Sequence, residues 1–208
     1  MATRSDLVRH ARRLEYLTIT WNSIEAAVAV WLALRASSIA LLGFGLDSVI
    51  ETASGAAVLW RFGWGRDTHH AERRALRVVG ICFIALAAYV TIDSVVSLAA
   101  HGRIRESWPG IILATVSLIG MPLLARAKRR TAAAISSAAL QADSRQTDFC
   151  AYLSAILLLG LLAESLLGWW WADAVAALGM VPLIVREGVE AVRGETCCAG
   201  ADASQPAR

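Results

Sequence analysis

Between Ser37 and Trp60 the chain runs apolar for long enough to cross a bilayer, which takes about 20 residues. Two carboxylates, Asp47 and Glu51, interrupt this run near its middle. Such a segment has few ways to fold. Backbone amides in hydrocarbon must find partners within the segment, which makes it a helix. The carboxylates must turn away from lipid, because a charge at the bilayer centre costs at least about 2.5 kcal/mol. Their i, i+4 spacing places both on one helical face, about one turn apart. Two acidic groups stacked in this way repel unless a cation or a shared proton lies between them. The stretch GFGLDSVIETAS (43–54) therefore reads as half of a cation site.

Further apolar runs extend the argument to the whole chain, of which 57% is hydrophobic with a mean hydropathy of +0.53. Soluble domains run nearer about 45–50% apolar. The expected fold is all-α, a six-helix transmembrane bundle with helices near 16–34, 37–60, 76–99, 109–124, 132–162 and 172–192. A basic segment (1–15) precedes the transmembrane domain (16–192), and a short polar tail (193–208) follows it. The first fourteen residues carry no apolar core of a cleavable signal peptide. Polar loops are expected at 61–74, 101–108 and 125–130, the last being ARAKRR, and Pro109 suits a helix start. The eight Trp, three of them in Gly168-Trp-Trp-Trp171, suit the membrane–water boundary.

Loop charge sets the orientation. Of the twenty Lys and Arg, sixteen fall on the side of the termini, three on the other, and Arg145 lies within helix five. By the positive-inside rule both termini are cytoplasmic, N-in and C-in, in a multi-pass protein of the cell membrane. Basic loops also account for the charge without any nucleic-acid partner. The four Cys form no disulfide or zinc-finger framework, and no nucleophile–base pair or cofactor motif points to an enzyme.

The other half of a cation site is sought on helix five, in QADSRQTDFCAY (141–152). At about 100° per residue, Asp143, Gln146, Thr147 and Cys150 share a face. Arg145 and Asp148 point elsewhere and are expected to pair. Facing one another, Asp47, Glu51, Gln146 and Cys150 would surround one divalent ion. Carboxylates with a thiolate suit Zn²⁺ and disfavour Mg²⁺ or Ca²⁺. Asp143 is either a peripheral ligand or an outer partner that orients one. Asn22 and Glu25 on helix one line a polar interior, where Glu25 can assist proton movement. His69, His70, Asp67 and Glu72 either gather ions at the cytoplasmic mouth or form a solvated loop. Cys197 and Cys198 capture a soft metal, carry an acyl chain or belong to an idle tail.

On these residues the sequence resembles the cation diffusion facilitator family of divalent-metal/proton antiporters. GFGLDSVIE matches that family's ligand pair on helix two, and ALQADSRQTDFC (139–150) follows its helix-five pattern. Asp143 aligns with the leading family Asp, while Gln146 and Cys150 stand where His and Asp are usual. WWADAVAALGM (170–180) resembles the start of the family's helix six through Asp173. The resemblance implies six helices, both termini inside and a homodimer. The match is to a short branch expected to lack the cytoplasmic C-terminal metal-binding domain.

The reading that follows is an exporter of Zn²⁺, with Co²⁺, Cd²⁺, Fe²⁺ or Mn²⁺ within range of the same ligands, moved against protons. Two other classes fit the same residues. One is a membrane protein that binds or senses metal without flux. The other is a proton-coupled carrier that uses the acidic pair without metal.

Overall fold

The computed structural model describes residues 4–64, 69–100 and 107–193. These form six helices: α1 (Arg4–Ala36), α2 (Ile39–Trp64), α3 (His69–Ala100), α4 (Trp108–Ile135), α5 (Ala138–Leu167) and α6 (Ala172–Arg193). Among the described residues there is no strand, and the expected all-α bundle is what the chain adopts. Among the described residues, four stretches are long and apolar enough by themselves to cross a membrane: Ser5–Ala36, Gly80–Ala100, Trp108–Ile135 and Asp143–Leu167.

Several boundaries differ from the sequence expectation. Helix α1 begins at Arg4, so the basic lead-in from residue 4 to 15 is part of the first helix. ARAKRR (125–130) is no loop: α4 runs through it to Ile135. Helix α5 starts at Ala138. A basic run reads as a loop in a hydropathy profile, yet Arg, Lys and Ala are all strong helix formers. Asp67, Cys197 and Cys198 lie outside the described residues. His69, His70 and Glu72 open α3, so the backbone there is helical rather than a loop.

Serine pairs make the sharpest turns. Ser37 (φ 56°) and Ser136 (φ 52°) take the left-handed conformation. Ser137 then caps α5 by accepting from the Leu140 N–H at 3.3 Å. Ser107 caps α4 by accepting from the Gly110 N–H at 3.3 Å, with Pro109 in the first turn as expected. Gly168 closes α5 at φ 67°, a conformation that suits a residue without Cβ.

The helices pack mainly as α1 on α2, α4 on α5 and α3 on α6, with α1 also meeting α4 and α2 meeting α5. Small residues allow the closest approaches. A Cβ on Gly80 would stand 2.6 Å from the Gly188 carbonyl oxygen, and one on Gly160 would stand 2.5 Å from the Ala176 Cβ. Such contacts are how membrane helices gain dispersion energy. Burial is distributed for a lipid surround. Leu34 (73%), Leu159 (68%) and Ile92 (65%) face outward, whereas Glu15, Thr18, Asn22 and Glu25 are fully enclosed. Their spacing of three and four residues makes one polar stripe along α1.

One carboxylate ties the fold to its acidic helix. Asp173, buried near the start of α6, accepts from Ser38 Oγ (2.5 Å), the Ile39 N–H (2.8 Å) and the Ala40 N–H (3.5 Å). It caps α2 from another helix and meets the positive end of that helix's dipole. Replacing Asp173 with Ala leaves these donors orphaned, and should lower stability by about 1–3 kcal/mol. The check is thermal unfolding in detergent, with Asp173→Asn expected to retain part of the loss.

Candidate metal centre

The buried polar and charged side chains around the acidic pair come from α1, α2, α4 and α5, and each helix supplies them at helical spacing. Helix α1 gives Glu15 and Glu25, α2 gives Asp47, Ser48 and Glu51, α4 gives Ser117 and Lys128, and α5 gives Asp143, Thr147 and Cys150; all are buried. They collect at two linked stations.

At the first station Glu25 is the hub. Its Oε2 accepts from Ser48 Oγ at 2.8 Å, and its Oε1 accepts from Ser117 Oγ. Cys150 Sγ donates to the same Oε2 at 3.8 Å. Glu51 is 1% exposed, and its Oε2 accepts no hydrogen bond. Gln146 is half-buried.

The second station is built on Lys128, which is fully enclosed. Its ammonium pairs with Asp143 Oδ2, lies 3.6 Å from Glu15 Oε2 and donates to Thr147 Oγ1 at 3.3 Å. Thr147 in turn donates to Glu51 Oε1 at 2.8 Å. The two stations are thus joined through Thr147 and Glu51. Asn22 of α1 is fully buried, with neither amide atom hydrogen-bonded.

The structure brings Cys150 of α5 to Glu25 of α1, which in turn holds Ser48 of α2. It puts Asp143 on Lys128, an arrangement that fits an outer partner better than a free ligand. Asp148 pairs with Arg129 of α4, where the sequence suggested Arg145. Helix α4 extends a turn or more past its expected end and so carries Arg129 alongside α5, which helical spacing within α5 alone does not reveal. Among the described residues, no three His, Cys, Asp or Glu side chains are gathered in ligating geometry.

The sequence reading leaves out two residues of these stations. Lys128 falls in the basic run read as a loop, and Glu15 in the segment placed before the first helix. The signal for both was periodic. Gly110, Ala114, Ser117, Met121, Ala125 and Lys128 are all buried at steps of three or four residues, so one small, semi-polar face of α4 continues into the basic run.

Residues 16–194 match the cation efflux transmembrane domain. The chain belongs to the cation efflux family. Its members are transporters of divalent metal cations rather than enzymes, and this chain is a multi-pass membrane protein. It is also similar to transmembrane protein 163 of Xenopus laevis, 28% identical over 142 residues. That alignment takes in 63% of this chain and 49% of the relative, so the chain spans about half the length of the curated protein it matches.

Removing the Lys128 charge leaves Asp143 and Glu15 buried without a counter-ion. Breaking a buried pair from one side costs about 3–5 kcal/mol. Lys128→Met should therefore unfold at markedly lower temperature in detergent. Adding Asp143→Asn to it should recover part of the loss, measured in the same melting experiment as a double-mutant cycle.

Proposed function

We propose that this protein exports a divalent cation, with Zn²⁺ its preferred cargo, through a site between α2 and α5. The observation that carries the reading is an imbalance of charge. Five carboxylates, those of Glu15, Glu25, Asp47, Glu51 and Asp143, are buried around the two stations, against one ammonium, Lys128. Uncompensated carboxylates are too costly to keep in a dry interior. They must take up protons or hold a cation, and a site that alternates between these states exchanges one for the other.

Asp47, Glu51 and Cys150 are the ligands the reading relies on, with Gln146 as the residue the family pattern places beside them. Asp143 acts through Lys128 and Thr147 as an outer support. A thiolate among carboxylates favours Zn²⁺ over Mg²⁺ or Ca²⁺. Metal binding requires the ligands to be deprotonated, so protons arriving from outside release the ion and drive antiport. Alternating access then turns the α2/α5 site from one side of the membrane to the other. With basic residues concentrated at the ends that bear the termini, those ends are cytoplasmic, and the direction of transport is outward. Homodimerisation is what the family resemblance implies.

Reconstitution in proteoliposomes with an imposed pH gradient tests this directly. Zn²⁺ flux should depend on the gradient, and Asp47→Ala or Glu51→Ala should each cut it by about 100-fold or more, as for loss of an essential ligand. Undiminished flux in both variants would overturn the site. Metal binding with no flux in the wild type would instead leave a sensor or binding protein.

A further inference from the structure

We infer that Glu25 of α1 is a direct ligand of the transported cation and holds the corner that the family pattern gives to Gln146. The inference rests on the transport site proposed above and names a residue from a third helix as part of it.

The geometry is that of two ligands on one ion. Zn²⁺ binds sulfur at about 2.3 Å and carboxylate oxygen at about 2.0–2.2 Å in a tetrahedron, which sets those two atoms about 3.5–3.7 Å apart. Cys150 Sγ and Glu25 Oε2 stand 3.8 Å apart, and both residues are fully buried. The spacing needs almost no adjustment to admit the ion.

The support around Glu25 is that of a ligand. Metal-binding carboxylates are themselves held by outer hydrogen bonds that fix their orientation. Here a hydroxyl from a different helix holds each oxygen, Ser48 of α2 on Oε2 and Ser117 of α4 on Oε1. An independent feature points the same way. Glu51 Oε2 is buried without a hydrogen bond, while Glu51 Oε1 is held by Thr147, about one turn from Cys150 on α5. A cation against Cys150 and Glu25 would give that oxygen a partner. Gln146, by contrast, is only half-buried and offers a neutral amide, a weak donor for Zn²⁺. A charged oxygen from α1 supplies what the helix-five substitution removes.

Cadmium titration of the full-length protein in detergent separates the two ligands. Cd²⁺–thiolate absorption reports the ion at Cys150, after subtraction of the Cys150→Ser spectrum to remove the other thiols. Glu25→Gln should weaken this Cys150-dependent binding by about 10–100-fold, the range seen even for outer partners of metal sites. Gln146→Ala should change it by no more than about threefold, a difference of under about 1 kcal/mol. Glu25→Asp keeps the charge but shortens the reach, and should weaken binding while preserving the folded elution profile if Glu25→Gln does not. Full affinity in a folded Glu25 variant, or a loss in Gln146→Ala matching that in Glu25→Gln, overturns the assignment. If Asp47→Ala abolishes the signal while Glu25 variants leave it intact, only the α1 ligand falls. If the wild type gives no Cys150-dependent signal at all, the α2/α5 site falls with it.

Discussion

The pairing of Lys128 with Asp143, inside a region closed to water, sets the terms for the rest of this structure. An ammonium and a carboxylate taken out of water together are tolerable only with good geometry and further partners. Those partners come from three helices. Glu15 lies near the ammonium from α1, and Thr147 passes a hydrogen bond from α5 to Glu51 on α2. The register of α1, α4 and α5 is therefore specified by one side chain. Apolar packing between helices is permissive by comparison, since lipid competes equally well for a leucine.

This specification has a direction. From Glu15 to Glu25 the polar groups on α1 form a single stripe, and α2 and α5 answer it with Glu51, Ser48, Thr147 and Cys150. Hydrophobic bulk is displaced to the outside. A water-soluble bundle of the same length would invert this pattern. The bundle is stable in a membrane because its outward Leu, Ile and Val side chains meet a solvent as apolar as themselves, while its polar groups meet one another.

Much of this was legible in the sequence. Long apolar runs with few charges leave only helices as a solution, so the number and order of the elements followed. The acidic face of α2 was visible because i, i+4 spacing is local, and so was the shared face of Thr147 and Cys150. What was not legible depends on the partners of a residue across helices. Whether Lys128 is solvated or buried is decided by how far α4 continues and by what it packs on, and a basic run hides both. In the sequence Glu25 reads as a lining residue of the polar interior, beside Asn22, that can assist proton movement. Its standing as a hub emerges only when Ser48, Ser117 and Cys150 converge on it from three other helices. Asp148 shows the same dependence: its pair with Arg129 joins residues that are close in space and far apart in sequence.

The cap that Asp173 places on α2 bears on how such a bundle moves. Its two carboxylate oxygens grip one hydroxyl and two successive amides at the tip of the acidic helix. Slippage of α2 along its own axis would tear all three bonds at once in a medium that offers no replacement. Tilting about that tip stretches them little. The contact therefore fixes the depth of Asp47 and Glu51 relative to α6 and resists sliding of α2 more than tilting.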